Sequence, residues 1–75
     1  MMQDFAKLAE KWPSTIVMRN KVKEFSGGAL HPRTLANRDS EGTGPKGRFV
    51  IRGRVGYPVE SLIQYLEEQA KSIDA

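Results

Sequence analysis

Three side chains able to read a base edge stand within five consecutive residues: Arg33, Thr34 and Asn37. A guanidinium can bridge O6 and N7 of guanine, a carboxamide can do the same for N6 and N7 of adenine, and a threonine can meet a thymine methyl or a phosphate. They follow Pro32, which suits the first position of a helix because its missing N–H is one that the first turn leaves unused. Leu35 is the single strong apolar residue after that start, so the side turned away from it carries all three. With Gly27 and Gly28 ahead, residues 27–38 read as a turn and a short polar-faced helix, which is either a reading head or a solvated face.

Cations surround that stretch. Residues 19–54 hold nine Lys and Arg against Glu24, Asp39 and Glu41, a net +6, whereas the rest of the chain is net −3. A basic middle between acidic ends suits a surface that meets a polyanion with one side only. Ordinary solubilising charge is the plainer reading.

Other chemistry finds little support. There is no cysteine and a single histidine, His31, so neither a disulfide framework nor a zinc site can be built, and no metal or cofactor is expected. No carboxylate pair stands with a histidine or nucleophile at a telling spacing, and Gly42-Thr43-Gly44-Pro45 lacks the lysine and hydroxyl of a phosphate loop, so no catalytic residue is assigned and an enzyme is not expected. No apolar run approaches the roughly 18 residues of a membrane span, and Met1-Met2-Gln3-Asp4 lacks the pattern of a secretory leader; a soluble, cytoplasmic protein is expected.

The elements that must position the polar helix follow from periodicity. In residues 4–12, Phe5, Leu8, Ala9 and Trp12 form an apolar stripe at helical spacing, either a partner face or packing for a small core, and Pro13 ends it. Thr15-Ile16-Val17-Met18 can be extended. Residues 20–25 suit a second short helix with Val22 and Phe25 inward, stopped at Gly27. The helix from Pro32 should run to about Ser40, before Glu41-Gly42-Thr43-Gly44-Pro45 breaks it. Two short helices joined by a turn make a helix-turn-helix candidate, although any helical hairpin looks similar. Arg48-Phe49-Val50-Ile51 and Val55-Gly56-Tyr57 read as a β-hairpin. With Arg52-Gly53-Arg54 as its loop, Ile51 faces Val55 and Phe49 faces Tyr57, four apolar side chains on one side. That packing role argues against Phe49 and Tyr57 as exposed platforms for RNA. Pro58 should start a last helix with Val59, Leu62, Ile63 and Leu66 inward and Glu60, Gln64, Glu67 and Glu68 outward.

The order of parts resembles the excisionase and AlpA type of small helix-turn-helix proteins, relatives of the MerR DNA-binding domain. The residues that carry the resemblance are Leu30, Pro32-Arg33-Thr34-Leu35, Gly42, Gly44-Pro45, Val55, Tyr57-Pro58, Leu62 and Leu66, over residues 17–70. It implies a mainly α winged helix-turn-helix fold with a small β-hairpin in residues 15–75; the extra amphipathic helix expected in residues 1–14 lies outside the shared module, and the resemblance says nothing about its role. It also implies binding of double-stranded DNA, in mobile-element excision or transcription regulation. His31 and Arg38 depart from the family, which often has Ser at the helix cap and Trp or Leu at the later position. Arg33, Thr34 and Asn37 are then the expected base readers. Lys21, Lys23, Arg38, Lys46, Arg48, Arg52 and Arg54 are the expected backbone and wing contacts, Arg38 being either core or contact. One such module covers few base pairs, so a homodimer or a cooperative multimer on DNA is expected. The rival reading is a protein-interaction module that binds an integrase, recombinase or transcription protein with little DNA contact.

Overall fold

The computed structural model describes residues 5–70, as four α-helices and a three-stranded antiparallel sheet. In chain order these are α1 (Ala6–Lys11), β1 (Ile16–Met18), a 3-10 turn (Arg19–Lys21) leading into α2 (Val22–Phe25), α3 (Pro32–Glu41), β2 (Phe49–Ile51), β3 (Arg54–Pro58) and α4 (Val59–Gln69). No helix among the described residues is long and apolar enough to cross a membrane.

The sheet is larger than the expected hairpin. Residues Ile16–Met18 join it as a third strand, in the order β1-β3-β2, with Val17 opposite Tyr57 and Met18 opposite Gly56. Val17 and Tyr57 are both fully buried, so the pairing hides two side chains in a chain short of core. Pro58 belongs to β3 and not to the last helix. Its extended backbone (φ −62°, ψ 141°) closes the strand and caps α4.

The hairpin register also differs from the expected one. The turn is two residues, Arg52-Gly53, and the pairs are Phe49 with Gly56, Val50 with Val55, and Ile51 with Arg54. Both turn residues have positive φ (52° and 77°), the primed turn whose twist matches that of the flanking strands. The four expected apolar side chains therefore separate. Val55 and Tyr57 lie on the core side with Val17, while Phe49 and Ile51 lie on the outer side with Ile16 and Met18. Gly56 makes this possible, because a Cβ there would overlap the Phe49 ring and the Met18 sulfur that close over it.

The second helix, expected over residues 20–25, is α-helical only from Val22, after the 3-10 turn. At its end Gly27 takes the left-handed conformation (φ 65°), and the Gly28 N–H reaches back to the Lys23 carbonyl at 2.9 Å. Buried Ser26 then sets the direction of the chain: its hydroxyl donates to the Val22 carbonyl (2.7 Å) and accepts from the Leu30 N–H (2.8 Å). This one side chain joins α2 to the residue before His31. Helix α3 begins at Pro32 as expected, runs one residue beyond the expected end, and stops at Gly42 (φ 80°).

The stripe of the first helix faces inward. Phe5, Leu8, Ala9 and Trp12 pack partly buried against the core, and α1 lies on α4. The Trp12 ring meets Phe25 edge-on at 5.4 Å between centroids. Asp4, the expected first residue of that helix, lies outside the described residues. On α4, Val59, Leu62 and Leu66 are buried as expected, Ile63 is partly buried, and Tyr65 adds to them; Glu60, Gln64, Glu67 and Glu68 are exposed.

Arg52 is the sole non-glycine residue of positive φ among those described. A left-handed residue with a Cβ costs about 1–2 kcal/mol, less for asparagine. Arg52→Asn is therefore expected to raise stability by roughly 0.5–1 kcal/mol, read as a higher urea midpoint at unchanged slope.

Candidate nucleic-acid interface

Helix α3 has a buried stripe and an exposed one. Leu35 and Asp39 are buried, with Pro32 and Ala36 half-buried on the same side, whereas Arg33, Thr34, Asn37 and Arg38 are exposed. Arg33 and Asn37, four residues apart, share one outward face. The face expected to carry the polar readers is thus the solvent face.

The hairpin lies beside the start of that helix. Asn20, Pro32, Gly53, Arg54 and Val55 line one open cleft, which joins the first residue of α3 to the hairpin turn. Asn20 also lines the neighbouring depression with Lys21 and Lys23. Lys21, Lys23, the start of α3 and Arg54 therefore belong to one continuous surface, and Arg52 stands at the exposed turn next to Gly53. Lys46 is exposed ahead of β2.

Two expected contact residues are placed differently. Arg38 lies in a groove toward α4 with His31, Thr34, Tyr65 and Gln69, and its guanidinium is 3.8 Å from the Glu41 carboxylate. Arg38 is thus a surface residue on the side of α3 that faces α4, and Thr34 borders the same groove. Arg48 leans inward, with Nη1 3.7 Å from Asp39 Oδ1.

Asp39 is the residue that sequence reasoning missed. Its side chain is 5% exposed, and Oδ2 accepts from Arg19 Nη2 at 2.7 Å and from the Tyr57 hydroxyl at 2.6 Å. Arg19 Nε donates to the Tyr57 oxygen at 3.0 Å, which closes a triangle. The triangle links the 3-10 turn, α3 and β3, so it fixes the polar face of α3 relative to the hairpin. Oδ1 has no hydrogen bond and lies against Gly44, where any Cβ would overlap the carboxylate. Gly44 is required for that close approach; Gly42 is required for its left-handed cap. The signal was present in the spacing, since 32, 35, 36 and 39 form the inner stripe of a helix, and a carboxylate on such a stripe demands buried donors.

Burial, reinforced by the hydrogen bond to the Asp39 carboxylate, pushes the Tyr57 hydroxyl up to about 12, against the opposing pull of Arg19. The Arg19 guanidinium is desolvated, which acts downward, but the bonds to Tyr57 and Asp39 outweigh this and raise it. Among the described residues no cluster of three His, Cys, Asp or Glu could hold a metal ion. No family model, curated protein or solved structure matches the chain.

The Tyr57 shift has a direction that can be tested. A phenol held protonated by the fold favours folding below its ordinary value of 10.0, and that contribution disappears as pH rises through about 12. The wild-type chain is therefore expected to lose stability over that interval, and Tyr57→Phe to lose less over the same interval. Urea midpoints measured from neutral pH upward check this, and parallel curves for the two chains refute it.

Proposed function

We propose that this chain is a sequence-specific binder of double-stranded DNA without catalytic activity, built as a winged helix-turn-helix. The observation that carries the reading is the cleft shared by Pro32 and the Gly53-Arg54 turn, which brings the start of α3, a helix with exposed Arg33 and Asn37, next to a cationic hairpin. Helix α3 lies in the major groove, Arg33 pairs with guanine and Asn37 with adenine, and Thr34 meets a thymine methyl or a phosphate. Lys21, Lys23, Lys46, Arg52 and Arg54 neutralise phosphates and set the register, with Arg48 and Arg38 at the margins of the contact.

Two further features support this reading. Residues 46–58 carry four cations and no acid, while the exposed side of α4 carries Glu60, Glu67 and Glu68, so the charge is segregated between the hairpin and the last helix. Arg52 occupies a backbone conformation better suited to asparagine or glycine, and strain retained at an exposed position is a mark of use. The apolar stripe of α1 packs partly buried against the core, which leaves the exposed side of that helix as the support for the rival module that binds a protein. A module of this size covers roughly 600–1,000 Å² on DNA, so the bound form contains more than one copy on repeated sites. Its role is that of a small excision factor or transcription regulator.

Selection of bound duplexes from a random pool, followed by salt titration, tests the proposal. Arg33→Ala is expected to weaken the selected site by about 1–3 kcal/mol and to relax preference at one base pair. Arg54→Ala is expected to weaken all sequences alike and to reduce the slope of log K against log salt by about one unit. An unenriched pool, or an enriched one that Arg33→Ala reads identically, removes the base-reading role.

A further inference from the structure

The two edges of the sheet are finished differently. At β1 the outward-pointing Ile16 carbonyl accepts the Trp12 indole N–H at 2.9 Å, so that edge is covered from within the chain. Strand β2 is the opposite edge, and its Val50 and Ile51 are exposed. Its ladder to β3 fixes which groups are free. A two-residue turn makes Ile51 with Arg54 a hydrogen-bonded pair, and alternation then makes Val50 with Val55 a non-bonded pair. The N–H and carbonyl of Val50 therefore point away from the sheet.

Val50 and Ile51 are also the exposed large hydrophobic residues of the fold, 64% and 51% exposed. Being neighbours on a strand, they point to opposite faces, so nothing docked on one face of the sheet covers both. A strand added to the free edge runs alongside both. Arg48 and Arg52 bracket this stretch, with Lys46 and Arg54 beyond them and no acid between residues 46 and 58.

Charge decides what such a strand is. A second copy of β2 paired antiparallel about Val50 sets Arg48 opposite Arg52 at both ends, and like charges directly opposite are destabilising. A segment of three apolar residues bracketed by acidic ones pairs favourably at every position. We infer that the free edge of β2 is a docking edge for an extended segment of a partner protein, acidic at both ends and apolar between, which adds to the sheet as a fourth strand. Main-chain bonds at Val50 give the affinity and the alternating side chains give the selectivity. The proposal does not rest on DNA binding, although Arg48 and Arg52 belong to both proposed surfaces.

The test is an amide-resolved NMR titration of the full chain at low salt with a blocked peptide, Gly-Glu-Val-Val-Val-Glu-Gly, and with the same peptide carrying Lys for both Glu. The acidic peptide is expected to shift the Val50 amide and slow its hydrogen exchange, and the basic peptide to do neither. Val50→Glu is expected to weaken the acidic peptide about tenfold, through a lost apolar pair and a new repulsion, while its thermal melt shows that the fold is kept. An unperturbed Val50 amide overturns the proposal, as does equal binding of the two peptides by the wild-type chain. Concentration-dependent dimerisation that protects Val50 without peptide overturns it in favour of a second copy.

Discussion

A buried carboxylate in a domain this small must be answered by donors from elsewhere in the chain, and the partners of Asp39 determine how the pieces sit together. Arg19 comes from the turn after β1 and Tyr57 from the central strand, and both bond the same oxygen of a residue on the inner face of α3. Removing one member of a fully buried pair typically costs about 3–5 kcal/mol, and with the Arg19 side chain 26% exposed the cost here lies below that range. That cost is a large fraction of the stability available to a short chain. The cluster therefore joins the inner face of α3 to the turn after β1 and to the central strand.

The same joint explains the loop that follows α3. Gly42 takes the left-handed conformation that ends the helix, Gly44 leaves room for the Asp39 carboxylate, and buried Pro45 closes the segment before the hairpin begins. The motif Gly42-Thr43-Gly44-Pro45, which lacks the lysine and hydroxyl of a phosphate loop, is structural. Its glycines serve a helix end and a carboxylate, and its proline serves the core. Arg48 extends the arrangement, since it leans toward the unbonded oxygen of Asp39 from the base of the hairpin.

Two sides of the molecule remain polar or open for separate reasons. The start of α3 and the hairpin turn share a cleft, and the exposed Arg33, Arg52 and Arg54 fit the proposed meeting with DNA. The edge of β2 has exposed aliphatic side chains on both faces and unpaired main-chain groups, which fits an added strand. At β1 the corresponding edge is closed by Trp12, so the first helix contributes to the sheet as well as to the core through Phe25.

By itself the sequence determined the helices and their inward faces, because periodic spacing of Phe5, Leu8 and Trp12, or of Val59, Leu62 and Leu66, leaves one way to hide them. It determined the stop at Gly27 and the start at Pro32, where the backbone chemistry of single residues is decisive, and it placed the end of α3 to within one residue, at the cluster of residues 41–45. It also placed Arg33 and Asn37 on a solvent face, since Leu35 left them no other. Only the tertiary structure decided the hairpin register, because one residue of loop length reverses every side chain and Arg52 can occupy either a loop or a primed turn. It alone recruited Ile16–Met18 as a third strand, whose partner lies about forty residues away in sequence. The Arg19, Asp39 and Tyr57 triangle was likewise decided there: a charge on an inner stripe shows that partners are needed, and only the folded chain shows which ones arrive.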